Sequence, residues 1–145
     1  MKKPARLFFV GGLFFIIDQL LKYLAQNIWT NKELLFKFFG WYPFKNTGVA
    51  FGIPVPLVII VFLSSVVLFL LIYLLKKSKQ ASLVRRLGLI LIVFGAVSNL
   101  IDRIIFGFTV DYLLVLTGVI NLADIMIVGG LALLAFPRLN PDDPT

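Results

Sequence analysis

Six polar side chains that could do chemistry lie in one otherwise apolar stretch, residues 95–124. They are Asn99, Asp102, Arg103, Asp111, Asn121 and Asp124. Ionisable groups next to a bilayer core are costly to bury, so they are kept mainly where they pair, line a cavity or take part in a reaction. We therefore expect a functional site in this stretch, with three carboxylates to build it.

The spacing of these residues predicts two helix faces joined by a loop. The asparagine, aspartate and arginine between residues 99 and 103 stand at i, i+3 and i+4, so they share one face of a helix. Asn121 and Asp124 repeat the i, i+3 relation, and we expect Asn121 to be the N-cap of the last helix. Asp111 lies between the two groups, in a segment that two glycines interrupt and that we predict to be a loop.

A pair of carboxylates is the chemistry that this residue set favours. Two carboxyl groups within hydrogen-bonding reach share a proton, because both cannot ionise comfortably. One can then activate a water molecule while the other, protonated, polarises a peptide carbonyl. We expect the pair to be Asp111 and Asp124, since Asp102 directly precedes Arg103 and should stay charged and support the site. The chain has no Cys or His, and we expect neither a metal nor a cofactor.

Other polar side chains could contribute from outside this stretch. Asp18 and Lys22 stand at i, i+4 with the acid first, the favourable order for a helical ion pair, and direct substrate contact is the other interpretation. Asn46 could be a turn residue or a group that hydrogen-bonds the substrate. Ser98 could act as a nucleophile with Lys22 as its base, an alternative that we rank far below the carboxylate pair.

The composition predicts an integral membrane protein with a single domain. Hydrophobic residues make up 60% of the 145 residues, whereas soluble chains run at about 45 to 50% apolar. We expect an all-α membrane protein with four transmembrane helices and a small β-containing extracytoplasmic segment between the first two. The predicted spans are about 7–26, 56–75, 87–105 and 121–136, and the outer segment is about 27–55.

The distribution of charge predicts the orientation in the membrane. A formal net charge of +7 could indicate a nucleic-acid partner, but the basic residues flank the apolar segments, so we expect membrane lipids and no nucleic acid. Nine of the 14 basic residues fall near the two termini or in the turn between spans two and three. The positive-inside rule then places both termini in the cytoplasm. All the polar groups described above gather towards the outer leaflet.

Five motifs, in the same order along the chain, are similar to those of the lipoprotein signal peptidases, the signal peptidase II family. They are Asp18-Gln19-x2-Lys22, Asn46-Thr47-Gly48-Val49-Ala50-Phe51-Gly52, Gly95-x3-Asn99-x2-Asp102-Arg103, Val110-Asp111-Tyr112 and Asn121-x-Ala123-Asp124. The resemblance implies an aspartic protease of the bacterial inner membrane. Such an enzyme removes the signal peptide of diacylglyceryl-modified prolipoproteins, cutting before the lipidated cysteine, and is sensitive to globomycin.

The resemblance also implies roles for individual residues. Asp111 and Asp124 occupy the positions of the catalytic aspartates, at an extracytoplasmic active site of an enzyme expected to be a monomer. The residues implied to bind substrate or support the site are Asn46, Asn99, Asp102, Arg103, Asn121, Asp18 and Lys22. Three positions depart from the family pattern and could alter helix packing or the shape of the pocket: Ser98, Ile120 and Val49.

Two other classes of function are compatible with clustered aspartates in a membrane. The first is a small transporter or proton-relay subunit, although no internal repeat is visible and the second and fourth spans have no polar residue in the middle. The second is a non-catalytic assembly factor, for which neither aspartate would be needed for activity.

Overall fold

The protein has four helices and four short strands in a computed structural model that describes residues 3–48, 53, 55–78 and 81–135. The helices are α1 (Lys3–Asn27), α2 (Leu57–Lys77), α3 (Leu83–Phe106) and α4 (Leu122–Ala135). The strands are β1 (Glu33–Phe36), β2 (Phe39–Asn46), β3 (Thr109–Val115) and β4 (Gly118–Ile120). A helix lies in each of the four segments for which the sequence predicts one. The predicted end of the last span at Phe136 lies outside the described residues.

Three of the described helices are long and apolar enough to cross a membrane, namely α1, α2 and α3. The helix α4 has 14 described residues, which at about 1.5 Å per residue give roughly 21 Å. That length is less than a hydrocarbon core about 30 Å thick. The part of the chain that the structure describes thus has three candidate spans and one shorter apolar helix.

Glycines allow α3 and α4 to pack with their backbones in contact. A Cβ atom added at Gly95 would lie 2.6 Å from the carbonyl oxygen of Ala123, and one at Gly130 would lie 2.6 Å from that of Gly88. Real Cβ atoms do not approach other atoms so closely, so larger residues would push the two helices apart. The close packing places the first turn of α4 directly against the middle of α3.

The prediction of a loop between α3 and α4 is wrong, because this segment forms a β-hairpin. Gly107 ends α3 with a positive φ of 80°, and β3 and β4 follow. These strands join β1 and β2 in one antiparallel sheet of order β1-β2-β3-β4. The sequence predicted β-structure only between the first two helices, but the sheet also contains the two strands between α3 and α4. The apolar, β-branched and aromatic residues of β3 are typical of a strand.

Consecutive residues of β3 face opposite sides of the sheet. Asp111 is paired with Phe44 of β2 and faces the site described below. Tyr112 faces the other way and is fully buried in a cluster with Ala25 and Val110. The sheet thus packs on the end of α1 through one face and presents a carboxylate on the other.

Candidate active site

The two aspartates expected to do the chemistry line the same cleft. Asp111 comes from β3 and Asp124 from the first turn of α4, and the cleft between them has a volume of about 880 Å³. Asn46, Asn99 and Arg103 line it as well. The structure therefore brings together polar groups from β2, α3, β3 and α4 that lie far apart in the sequence.

The Asn121 side chain links the two aspartates. The side-chain carbonyl oxygen of Asn121 accepts a hydrogen bond from the backbone N–H of Asp124 at 2.9 Å. In return, the backbone N–H of Asn121 donates to Oδ2 of Asp124 at 3.2 Å. This reciprocal pair is a helix cap, so the prediction that Asn121 is the N-cap of α4 is confirmed. The amide nitrogen of the same side chain donates to Oδ1 of Asp111 at 2.7 Å. One fully buried residue thus contacts both carboxylates.

Two more asparagines orient the remaining carboxylate oxygens. The amide of Asn46 donates to Oδ2 of Asp111 at 2.9 Å, and the amide of Asn99 donates to Oδ1 of Asp124 at 2.8 Å. The carbonyl oxygen of Asn46 also accepts the backbone N–H of Gly48 at 3.0 Å. Asn46 is therefore a turn residue and a site residue together. Each aspartate receives hydrogen bonds on both of its oxygens.

The pKa of Asp111 is raised to about 7, mainly because the carboxyl group is buried and to a smaller extent because of the neighbouring charge of Asp124. The hydrogen bonds from Asn46 and Asn121 act in the opposite direction but do not offset the burial. Asp111 lies on β3, outside the apolar helices, and is only 1% exposed. Near neutral pH, this carboxyl group can therefore still carry a proton, as a shared-proton pair requires.

Asp18, Lys22 and Asp102 form a buried ionic cluster beside the cleft. The Lys22 ammonium lies 2.9 Å from Oδ2 of Asp18 and 2.9 Å from Oδ2 of Asp102. The predicted ion pair between Asp18 and Lys22 is thus confirmed. Lys22 also donates to Oδ1 of Asn99 at 2.9 Å, so the ionic cluster and the cleft are joined through that asparagine.

Asp102 was expected to support the site, and its ion pair is with Lys22 and not with the adjacent Arg103. Consecutive helix residues point about 100° apart, and Asp102 points towards Lys22 on α1. It also accepts the backbone N–H of Val110 at 3.1 Å, which holds the start of β3. Arg103 instead donates to Oγ1 of Thr109 at 2.9 Å and to the carbonyl oxygen of Gly48 at 3.4 Å. Asp102 and Arg103 therefore both support the site, but through separate contacts.

The structure does not favour Ser98 as a nucleophile. Its hydroxyl lies 3.2 Å from the Lys22 ammonium, but it is fully buried and donates to Oδ2 of Asp18 at 2.5 Å. The Lys22 ammonium is held between the carboxylates of Asp18 and Asp102, at 2.9 Å from each. Ser98, one of the three departures from the pattern of the resembled family, adds a hydrogen bond to the ionic cluster and also accepts one from Gln19.

Several residues of the site were missed by sequence reasoning. The hydroxyl of Tyr112 donates to Oδ1 of Asp18 at 2.8 Å and accepts the backbone N–H of Leu122 at 3.0 Å. The one available signal was the position of this tyrosine directly after Asp111. Thr109 was also missed, as were the residues that form the walls of the cleft: Tyr42, Phe44, Leu114, Ile127 and Val128.

The departures from the family pattern have different places in the structure. Ile120 lines the cleft, where a different side chain would alter the shape of the pocket. Ser98 acts in the ionic cluster, and Val49 lies outside the described residues. Among the residues that the structure describes, no group of three or more Asp or Glu side chains is arranged to hold a metal ion.

Comparisons with known proteins give the class of the protein. A family model described as signal peptidase (SPase) II matches residues 10–139. A lipoprotein signal peptidase of Syntrophus aciditrophicus is 37% identical over 128 residues, covering 81% of this chain and 80% of that protein. One of Bartonella quintana is 34% identical over 142 residues, covering 90% and 85%. These matches favour a membrane peptidase over the transporter or proton-relay alternative.

A solved structure supports the fold independently. A bacterial membrane enzyme superposes with a TM-score of 0.84 at 22% identity, over 97% of this chain and 94% of that one. Fold, family model and relatives agree over nearly the whole chain. The chain belongs to the signal peptidase II family.

Proposed function

We propose that this member of the signal peptidase II family, which removes signal peptides from prolipoproteins, is an aspartic endopeptidase with Asp111 and Asp124 as its catalytic residues. One observation carries the proposal: the two carboxylates line one cleft and both accept a hydrogen bond from Asn121, Asp111 from its side-chain amide and Asp124 from its backbone N–H. The hydrogen bonds from Asn46 and Asn99 support it, because they orient Oδ2 of Asp111 and Oδ1 of Asp124. The high pKa of Asp111 supports a shared proton.

In the proposed reaction the pair holds one proton and a water molecule lies between the carboxyl groups. The ionised carboxylate takes a proton from the water, whose oxygen attacks the scissile carbonyl carbon. The protonated carboxyl group donates its proton to the carbonyl oxygen, which gives a neutral tetrahedral intermediate. Collapse of the intermediate breaks the C–N bond. The amine leaves with the proton of one carboxyl group, one hydroxyl of the intermediate gives its proton to the other carboxylate, and the pair again holds one proton.

The proposed substrate is a diacylglyceryl-modified prolipoprotein, cut before its lipidated cysteine. The walls of the cleft support this choice, because Tyr42, Phe44, Ile127 and Val128 offer apolar surface to a signal helix or an acyl chain. Val128 is 66% exposed on the outside of α4. The cleft is therefore continuous with an apolar helix surface, along which a substrate could enter from the bilayer.

We further propose a monomer with a single domain and four spans, at about residues 7–26, 56–75, 87–105 and 121–136, in the bacterial cytoplasmic membrane. Both termini would be cytoplasmic, and the active site would face the extracytoplasmic side. The charge distribution supports this orientation. Lipid contact is supported by the exposed apolar residues of α2, such as Val58 and Phe69. Because the described part of α4 is shorter than the hydrocarbon core, either the bilayer would be thinned beside it or the residues just before Asn121 would lie within the bilayer.

Cleavage of a lipidated prolipoprotein by purified variants tests the proposal. The variants are Asp111→Asn and Asp124→Asn, and a change in gel mobility reports cleavage. We expect each to lose at least about 10²-fold in rate, since general acid–base catalysis typically contributes 10²- to 10⁴-fold. Glu33→Gln is the matched control, because it makes the same change at an exposed carboxylate on β1. Wild-type rates in both aspartate variants would contradict the proposal and favour the non-catalytic assembly factor.

A further inference from the structure

The hydroxyl group of Tyr112 connects the two elements that carry the aspartates. Tyr112 directly follows Asp111 on β3, and its hydroxyl accepts the backbone N–H of Leu122 at 3.0 Å. Leu122 is the first residue of α4 and lies two positions before Asp124. This hydrogen bond therefore joins the strand of one aspartate to the helix of the other, in addition to the contact that the Asn121 cap makes with Asp111.

The first turn of α4 receives acceptors from two other elements and from its own N-cap residue. The first N–H groups of a helix have no partner within the helix and need acceptors from elsewhere. Here Leu122 donates to the Tyr112 hydroxyl, Ala123 to Oδ1 of Asp18 at 3.2 Å, and Asp124 to Asn121. The position of this turn is thus set by β3, by α1 and by the helix cap.

Tyr112 is well held for such a role. Its side chain is fully buried, and its ring lies 5.1 Å from that of Trp41, centroid to centroid. The hydroxyl donates to Oδ1 of Asp18 at 2.8 Å, so its donor and an acceptor site are both used. Burial and the nearby Asp18 carboxylate raise the pKa of Tyr112, so the hydroxyl stays protonated.

We propose that Tyr112 is a positioning residue, whose hydroxyl fixes the start of α4 against β3 and thereby sets the separation of the Asp111 and Asp124 carboxyl groups. Tyr112 is not among the residues that line the cleft, so it acts through these neighbours and not on the substrate. The inference rests on the proposed function, because it assigns the two aspartates to catalysis.

The first test is the Tyr112→Phe variant, which removes only the hydroxyl. A misplacement of about 1 Å in reacting groups can cost 10²-fold in rate, so we expect kcat to fall about 10- to 100-fold. KM should change less than about twofold, because the substrate-binding walls stay intact. Tyr23→Phe is the matched control, since Tyr23 is exposed on α1.

Thermal unfolding in the same detergent separates positioning from general stability. Both kinetic constants are measured well below the unfolding temperature and expressed per folded enzyme. A lower unfolding temperature with an unchanged kcat would mean that the hydroxyl merely stabilises the fold, and this would overturn the proposal. A rise in KM alone would overturn it as well.

The second variant, Leu122→Pro, removes the same hydrogen bond from its other side. Proline is well tolerated at the first helical position because the N–H that it lacks has no partner within the helix. Leu122→Ala controls for the lost side-chain packing. We expect Leu122→Pro to lower kcat below that of Leu122→Ala, a comparison that decides the matter if Tyr112→Phe does not fold.

The double variant of Tyr112→Phe and Leu122→Pro gives the sharpest result. If both changes act through one hydrogen bond, the double variant should be slower than the slower single variant by less than about twofold. If the two losses multiply instead, the changes act separately and the proposal is overturned.

The aspartate variants run in the same assay keep the two proposals apart. If Asp111→Asn and Asp124→Asn stay active, the proposed function fails regardless of Tyr112. If they are inactive while Tyr112→Phe keeps the wild-type kcat, only the positioning role fails.

Discussion

Neutral amides, and not cations, orient the two carboxyl groups of the cleft. The side-chain amides of Asn46, Asn99 and Asn121 donate to these carboxylate oxygens at 2.7 to 2.9 Å. Lys22, by contrast, donates to the carbonyl oxygen of Asn99 and not to either of the two carboxylates. A cation in direct contact would hold both carboxylates ionised, because opposite charge favours the charged form. A neutral amide orients the same oxygens but lowers the pKa of the carboxyl groups less than a cation would, so the pair can keep its shared proton.

The pH dependence of cleavage should show this shared proton. The pKa of Asp111 is raised to about 7, so this carboxyl group holds its proton below that pH and loses it above. The pair then ionises completely, and kcat should fall as the pH rises through about 7. Steady-state rates measured from pH 5 to 9 test this, with unfolding temperatures recorded to show that the enzyme stays folded. A constant kcat across pH 7 would contradict the prediction.

Removal of the Asn121 side chain should affect catalysis more than stability. Asn121→Ala loses a helix cap, which costs about 0.5 to 2 kcal/mol in the free energy of unfolding. It also releases Asp111, so we expect kcat to fall at least about 10-fold. Ser82→Ala is the matched control, because Ser82 caps α3 at the other end of the molecule. If both variants keep the wild-type kcat, Asn121 is only a cap.

At the scale of elements, the contact between α3 and α4 decides where Asp124 lies. Gly95 on α3 meets the carbonyl oxygen of Ala123, the residue before Asp124. Asn99 lies one turn further along α3 and holds Oδ1 of Asp124. Helix packing and the hydrogen bond therefore act on the same turn of α4.

Gly95→Ala should move this turn and reduce activity. The added Cβ atom would lie 2.6 Å from the Ala123 carbonyl oxygen, so α4 must shift, and overpacking typically costs about 1 to 3 kcal/mol. We expect a lower unfolding temperature together with a lower kcat. Gly129→Ala, on α4 with no atom near the added Cβ, is the control and should leave both unchanged or raise stability. A fully active Gly95→Ala enzyme would show that the close contact does not position Asp124.

The sequence predicted the helices well and the second hairpin badly, for physical reasons. A long apolar run predicts a transmembrane helix, because about 20 apolar residues in a helix match the thickness of the hydrocarbon core. Gly107 and Gly118 indicate breaks in the chain, but they end α3 and begin β4, with a strand between them. The strands β2 and β3 pair although more than 60 residues separate them, and no local sequence pattern indicates such a pairing.

The site divides in the same way. The acidic residues and asparagines could be found from their types alone, because polar side chains are rare in this chain. Their partners could not, since Asp102 contacts Lys22 from a distant helix and not the adjacent Arg103. The role of Tyr112 was hidden because an aromatic residue on a strand usually means packing.

At the scale of the whole molecule, the ionic cluster and the cleft lie at the same end of the helices. The cluster of Asp18, Lys22 and Asp102 joins α1 to α3, and Asp18 reaches the start of α4 through the backbone N–H of Ala123. Buried charges of this kind are strongly destabilising when one partner is removed. The cluster therefore fixes three helices beside the cleft that Asp111 and Asp124 line.

The proposed orientation can be tested with single cysteines, because the chain has none of its own. Lys37→Cys lies on the exposed β1–β2 turn, and Lys76→Cys lies in the exposed last turn of α2. A membrane-impermeant maleimide applied to intact spheroplasts should label Lys37→Cys at once and Lys76→Cys only after permeabilisation. The reverse pattern would invert the orientation and place the cleft on the cytoplasmic side.

The most direct test of the account is a double-variant cycle on the two aspartates. The cleavage rate of a lipidated prolipoprotein is measured for the wild type, Asp111→Asn, Asp124→Asn and the variant with both changes. If the two carboxyl groups act as one unit, each single change should remove nearly all catalysis, and the double variant should be no slower than either. Losses that multiply, or a single variant with wild-type activity, would contradict a shared catalytic role.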